Sequence, residues 1–320
     1  MKRRAFVLAG ATWPLSGGAS VPWPKSPLRI VVPQAAGGTA DALARMLGDR
    51  FEARFGVATV VDNRPGANGL IGTDLVRRSA PDGHTLLLAS TATHAMAPHV
   101  APSSTFDPVR DFAPIVNVAW QTKVAIVNPT VPATTLREFI AYARGRPGQL
   151  NYASTGVGSS SHVDAEILAA ATGIKIVHIP YRSSGFSVAA LVTGEVQLLL
   201  ASLSAAIGAI QAGQARALAV LSERRAMLLP HVPTIGEAGV VAPDVRTWIG
   251  LVAPAETSPA IVAALNRTVD RDLADPALGA WLEQQGLEPI GGTPEAFAAT
   301  IRADVERWGT IVRRLGVRAT

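Results

Sequence analysis

Short β-branched runs alternate with amphipathic helical stretches along most of this sequence, and the junctions between them are proline- or glycine-rich turns. Leu28–Val32 is such a run, closed by Pro33; residues 40–55 then place Leu43, Leu47 and Phe51 at helical spacing. Strand-like residues 57–61, a helix over 70–79 and a strand over 85–89 continue the pattern. Parallel strands need a crossover between them, and a helix of this length supplies one, so the pattern predicts βαβ units around a mostly parallel sheet. It restarts at Lys123–Val127, followed by a helix capped by Thr134 or Thr135 and stopped at Arg146-Pro147-Gly148. A strand ending at Tyr152-Ala153-Ser154, a helix over 161–171, and strands over 177–179, 196–200 and 217–221 with a helix over 186–193 complete a second α/β set. Ser258-Pro259 and Thr293-Pro294-Glu295 each combine an N-cap residue with a proline at the first helical position, opening two packing helices.

With 320 residues, 48% of them hydrophobic, the chain can bury roughly three quarters of its unfolded surface and build two lobes. Three segments are expected: a leader over 1–25, a first lobe over 26–122 with 222–320, and a second over 123–221. Lys2, Arg3 and Arg4 precede apolar residues 5–11 and the small residues Ser16, Gly17, Gly18 and Ala19, the pattern of a signal peptide cleaved near Ala19. Arg3-Arg4 with Phe6 also resembles a twin-arginine signal. Its removal takes away three positive charges from a formal net charge of +5. The remaining basic residues lie singly or in pairs such as Arg77-Arg78, without the basic, aromatic-interleaved stripe of a nucleic-acid binder, so no nucleic-acid partner is expected. The chain has no cysteine, which excludes disulfides, thiolate metal sites, cysteine nucleophiles and a lipid-modified N-terminal cysteine. No stretch of about 18 uninterrupted apolar residues follows the leader, so no membrane-spanning helix is expected.

Two turns carry the chemistry. Gln34-Ala35-Ala36-Gly37-Gly38-Thr39-Ala40-Asp41 and Ser154-Thr155-Gly156-Val157-Gly158-Ser159-Ser160-Ser161-His162 each join a strand to a helix, one in each expected lobe. Unpaired N–H groups at a helix start, together with the helix dipole, suit a carboxylate or phosphate. Ligands of open α/β sheets sit at the carboxyl ends of strands, where both turns lie. Neither is a P-loop, since no Gly-Lys-Ser/Thr ending is present, and Ser161 occupies the place of the third glycine of a dinucleotide fingerprint. Thr39 is also readable as an N-cap, Asp41 as a complement to the dipole and His162 as a structural histidine. A hydrolase using Ser159, Ser160 or Ser161 with His162 and Asp164 is disfavoured, because triad groups converge from separate elements and no Gly-x-Ser-x-Gly elbow occurs. A metal site from His162, Asp164 and Glu166 fails on geometry, because on a helix those positions do not share one face.

From Pro27 onward the chain resembles the Bug-type extracytoplasmic receptors of the tripartite tricarboxylate transporter family. The resemblance is carried by Pro27-Leu28-Arg29-Ile30-Val31-Val32-Pro33, the turn ending at Asp41, Val61-Asp62-Asn63-Arg64-Pro65-Gly66-Ala67 and Pro81-Asp82-Gly83-His84-Thr85-Leu86-Leu87. Phe106 to Pro114, Leu150 to Ser154, His178-Ile179-Pro180-Tyr181, Leu218-Ala219-Val220 and Pro230-His231-Val232-Pro233-Thr234 continue it. The family implies an α/β, type II periplasmic-binding-protein fold: two α/β lobes with a ligand cleft between them. It also implies a monomeric periplasmic binding protein without enzymatic activity or cofactor, which passes a small carboxylate to membrane permease subunits; a sensing receptor on the same fold is the alternative. Carried over by motif, the ligand-binding residues are Ala36, Gly37, Gly38, Thr39 and Asp41; Ser90 and His94; Ser154, Thr155, Gly156, Gly158, Ser159, Ser160 and His162; and Tyr181, to which Arg182, outside the motif, adds an expected cationic contact. Three departures bear on the ligand. Gln34 replaces an aromatic residue, Arg182-Ser183 replaces Lys-Gly, and Ala201-Ser202 stands where many relatives carry an acidic residue able to hold an ammonium. A purely anionic acid is therefore expected in preference to an amino acid.

Overall fold

The computed structural model describes residues 23–101, 106–241 and 245–318; the expected leader lies almost wholly outside them. The first sheet is assembled from β1 (Leu28–Val32), β2 (Thr59–Asn63), β3 (Thr85–Ser90), β4 (Phe112–Gln121), β10 (Thr247–Pro254) and β11 (Leu287–Gly291). The second contains β5 (Lys123–Val127), β6 (Asn151–Ser154), β7 (Val177–Pro180), β8 (Leu198–Ser202) and β9 (Arg216–Val220). Their strand orders are β11-β4-β10-β3-β1-β2 and β7-β6-β8-β5-β9. β1 pairs in parallel with β2 and β3, and β6 with β7 and β8, each through a helical crossover. One strand in each sheet, β10 and β5, arrives from the other sheet and runs antiparallel to both neighbours. That reciprocal exchange gives both lobes the same order, the arrangement of a type II periplasmic-binding-protein fold.

Helix α1 (Thr39–Phe55) buries Leu43, Leu47 and Phe51 on the first sheet, the face its spacing predicted, and ends at Gly56 in the left-handed conformation. α2 (Leu70–Arg77) and α3 (Ala97–Val100) flank β3, with a π-helical turn over residues 92–96 leading into α3. In the second lobe α4 (Leu136–Arg144) begins with a complete capping box, Thr135 accepting from the Glu138 amide. α5 (Ser160–Thr172), α6 (Ser184–Val192) and α7 (Leu203–Gln211) follow, and α8 (Pro259–Leu273), α9 (Pro276–Gln284) and α10 (Pro294–Leu315) complete the chain.

The lobes meet where β4 runs into β5 through Thr122, whose N–H donates to Gly286 O (3.0 Å) and whose carbonyl accepts from Leu203 N (2.9 Å). A second crossing, over residues 221–246, returns from β9 to β10. The 22-residue α10, roughly 33 Å long at 1.5 Å per residue, is held by both lobes. Phe297 and Ile301 pack with Trp248 of the first sheet, whereas Trp308 and Val312 share a core with Tyr152, Val163 and Ile167 of the second lobe. Its C-terminal half therefore packs on both lobes, against the second-lobe core and against α3 of the first. His99 of α3 meets α10 from the side, with Nε2 2.9 Å from Val305 O.

Candidate functional site

Three corners of the first lobe converge at the carboxyl ends of β1, β2 and β3. In the first, Gly38 is the N-cap of α1, extended and without a side-chain cap bond, so Thr39 is the first helical residue and not the cap. The amides of Gly38, Thr39 and Ala40 have no acceptor among the described residues, and the turn carrying Ala36, Gly37 and Gly38 is exposed. Asp41 is committed to its own turn: Oδ2 accepts from Gly37 N (3.0 Å) and Arg45 Nε (3.2 Å), and Oδ1 from Arg45 Nη2 (3.1 Å). Burial pushes this carboxyl up, but the Gly37 amide and Arg45 outweigh it and hold it below its ordinary value. An ionised carboxylate held in this way fixes the turn before α1 and offers no donor.

In the Ser90 corner the Ser90 N–H donates to Thr93 Oγ1 (3.0 Å), fixing the turn at the end of β3. His94 departs from expectation. Its ring is fully buried against Phe106, Phe112 (4.8 Å between centroids) and Trp248, and burial lowers its pKa to about 3. The π-helical turn carries this side chain into the core, and Ser90 beside it is buried with its hydroxyl toward Thr93 N (3.4 Å).

The third corner, residues 66–69, has four successive positive φ values: Gly66 (124°), Ala67 (47°), Asn68 (54°) and Gly69 (89°). Two of these residues carry a Cβ, and the left-handed conformation costs about 1–2 kcal/mol at such positions. Gly69 is packed so closely that a Cβ would lie 2.6 Å from Thr93 Cγ2, which locks this corner to the Ser90 corner.

Facing them, the second lobe presents the loop between β6 and α5. Much of it is internally bonded: Thr155 N donates to Ser161 Oγ (3.0 Å), Gly156 N to Ser154 Oγ (3.0 Å) and Gly158 N to His162 Nδ1 (2.9 Å). The amides of Ser160 and Ser161, in the first turn of α5, have no acceptor among the described residues. Ser159 is the N-cap and accepts weakly from His162 N (3.4 Å). A further helix start, missed in the sequence, opens beside them: α7 begins at Leu203 after Ser202, and Ser204 in its first turn hydrogen-bonds Thr39 of the first lobe. The signal available was a strand of apolar residues running straight into Ser202-Leu203-Ser204.

Behind the loop lies a stack of three rings. His162 and His178 are parallel at 3.9 Å, and Tyr152 covers His178 at 5.0 Å. His178 Nε2 lies 2.6 Å from Ser154 Oγ, and Tyr152 donates to Glu166 Oε1 (2.5 Å). Because Gly158 N–H donates to Nδ1, His162 is the neutral Nε2–H tautomer in this arrangement. Burial lowers the pKa of both histidines, His178 to about 4 with its neighbour His162 contributing, while Glu166 partly opposes the shift at His162. A depressed pKa means that the unfolded chain binds more protons, so stability is lost as pH falls. Denaturation at fixed ionic strength should show stability declining between pH 6.5 and about 4, with buried His94 contributing as well, and His178→Gln should make that decline shallower; a flat wild-type profile over this window would refute the assignment.

Asp164 does not face the cleft. It is buried in an ion pair with Lys123 Nζ (2.5 Å), while Glu166 is held by Tyr152. No Ser–His–Asp relay and no shared metal geometry arise from these groups. Tyr181 is anchored by its backbone, whose N–H bonds Ser154 O (2.9 Å); its hydroxyl is buried with no hydrogen-bond partner among the described residues, and burial first, then the Glu195 carboxylate, pushes the phenol up to about 12. Glu195 O receives Asn151 Nδ2 at the amino end of β6, opposite the cleft edge. Arg182 is exposed and makes no ion pair among the described residues.

The two sets of loops face one another and touch. Besides Thr39 with Ser204, Asn68 Nδ2 donates to Val157 O (3.0 Å), and Gly158 abuts Val100 of α3. Residues 43–317 match the family described as Tripartite tricarboxylate transporter family receptor (TctC). The chain belongs to that family. Among its relatives, BugT of Bordetella pertussis is 34% identical over 98% of this chain and 95% of its own length. A protein from the tcbD-tcbE intergenic region of Pseudomonas sp. strain P51 is 36% identical over 91% of this chain and 86% of its own. Rpa4515 of R. palustris, solved with adipate, superposes with a TM-score of 0.88 at 33% identity, covering 93% of this chain and 99% of that one. MatC of Rhodopseudomonas palustris, with bound malate, gives 0.83 at 29% identity, covering 91% and 100%. This TctC receptor thus shares the two-lobed fold of periplasmic binding proteins and belongs to a family of solute receptors, not enzymes. Among the described residues no helix is long and apolar enough to cross a membrane.

Proposed function

We propose that this TctC receptor is exported to the periplasm by its N-terminal segment. There, as a monomer, it encloses a small dicarboxylate between lobes 26–122 with 222–320 and 123–221, and delivers it to the membrane permease of a tripartite tricarboxylate-type transporter. What supports this reading is that helix starts in both lobes, at Gly38–Ala40 and at Ser160–Ser161, carry amides without acceptors among the described residues, beside the contacts Thr39–Ser204 and Asn68–Val157 by which the lobes touch. Each N–H to an ionised oxygen contributes roughly 1.5–3 kcal/mol, so a few of them from each side hold an anion and favour closure together. Ser90, Thr155, Ser202 and Ser204 supply hydroxyls to the same region, and exposed Arg182 adds a cation near the rim. The adipate and malate in the two relatives support a dicarboxylate, and the lack of an acidic residue at Ala201-Ser202 disfavours an α-ammonium group.

A thermal-shift panel tests this directly. Adipate, malate and related dicarboxylates at about 100 times their dissociation constant should each add about 2.7 kcal/mol of stability, while neutral amides of the same acids and amino acids should add little. A panel in which no acid raises the melting temperature would overturn the ligand class.

A further inference from the structure

We infer that Asn68 is a closure latch: a positioning residue that holds the two lobes shut without touching the solute. The inference rests on the binding reading above and goes beyond it, because it separates affinity due to ligand contacts from affinity due to the lobes' own contact.

Three observations carry it. The Asn68 side chain bonds nothing in its own lobe among the described residues; its Nδ2–H reaches 3.0 Å across the gap to Val157 O in the loop of the second lobe. Asparagine tolerates a left-handed backbone because its amide can bond locally, yet here that amide is directed outward and the strain is left without local compensation. The turn is also rigidly seated. A Cβ on Gly69 would lie 2.6 Å from Thr93 Cγ2 and 3.3 Å from Pro33 O, both in the buried base of the turn, so Asn68 is presented at a fixed place and loses little freedom on bonding. Gly158, next to the acceptor, has its would-be Cβ 3.4 Å from Asn68 Nδ2, which shows that the donor meets a backbone already at contact distance. Thr39 with Ser204 forms a second bridge elsewhere along the same interface. A group bonded across the gap stabilises only the closed form, so it slows solute escape and leaves capture unchanged.

The test uses Asn68→Gly, which accepts the left-handed backbone and deletes only the side chain, and Asn68→Asp, which sets a carboxylate oxygen against the Val157 carbonyl. The chain has no cysteine, so Asp49→Cys and Ala189→Cys on exposed helical positions of the two lobes provide a unique pair of spin labels. With adipate as the probe, Asn68→Gly should bind about 3- to 10-fold more weakly through faster dissociation, the scale of one neutral hydrogen bond, and Asn68→Asp more weakly still. The interlobe distance should shift toward the open value in the same order. Wild-type binding with both variants equal to it in affinity, dissociation and distance overturns the latch and leaves the receptor reading intact. If wild type binds no acid, the receptor reading fails and the ligand-free distances decide: a longer distance in Asn68→Asp supports the latch, and superimposable distributions overturn it.

Discussion

Gly158→Ala is expected to give a folded protein that closes far less readily on its solute. The residue has φ +75°, and a Cβ built there would lie 2.1 Å from Val100 Cγ1 and 3.3 Å from Val100 Cβ. Val100 is fully buried in the core with Met96 and Val163, so its side chain has nowhere to retreat. The left-handed strain acts on the open and closed forms alike, but the overlap exists only where the lobes touch. Overpacking of this kind costs about 1–3 kcal/mol, and at 1.4 kcal/mol per decade that is about 5- to 150-fold in dissociation constant. Calorimetric titration with adipate, paired with the radius of gyration by X-ray scattering, reads both effects. Val100→Ala in the same chain should restore much of the affinity by removing the obstructing methyl groups. A Gly158→Ala protein that compacts on adipate like wild type would show that this contact is not part of closure.

The largest loss of stability is expected from Asp164→Ala. Lys123 and Asp164 are 4% and 0% exposed in their side chains, and Asp164 Oδ1 has no hydrogen-bond partner, so the pair sits in the core with one lone-pair site unpaid. Burial raises the Asp164 carboxyl even though Lys123 pulls it down. Removing one partner strands the other charge, which costs about 3–5 kcal/mol, whereas Lys123→Met with Asp164→Leu removes both and should be close to neutral or stabilising. Urea denaturation of the two singles and the double separates these outcomes. Singles within about 1 kcal/mol of wild type would mean that water reaches the pair.

The sequence displayed every strand of the second sheet, antiparallel β5 and β9 included, and the parallel strands of the first, but concealed β4, β10 and β11. β1, β3, β5 and β6 are bounded by proline or glycine turns and feed helices with evident apolar stripes, so their periods were readable. β4 carries Pro114 and bulges against β10, and β10 is buried on both faces, so neither shows the alternation that marks a half-exposed strand. α7 escaped because Ala, Gly and Ser dominate it, leaving no amphipathic contrast. At the site, the glycine turns were legible because glycine before a helix has a direct backbone consequence. Side-chain direction was not. His94 and Asp41 stand within the right loops, yet the first is claimed by Phe112 and Trp248, distant in sequence, and the second by Gly37 and Arg45 of its own turn, while Tyr181 packs on the second-lobe core with its hydroxyl buried and unpartnered among the described residues. Asn68 was passed over for the converse reason, since only a fold that brings residue 157 opposite it gives its amide a task.

The long C-terminal helix bears on how far the two halves can travel. A stiff rod embedded by Phe297 and Ile301 in one half and by Trp308 and Val312 in the other tolerates a twist of a few degrees far better than a wide swing. The mouth is therefore expected to gape narrowly, admitting slender acids and turning away bulky ones at the threshold, so that part of its selectivity is exercised before any hydrogen bond to the guest has formed.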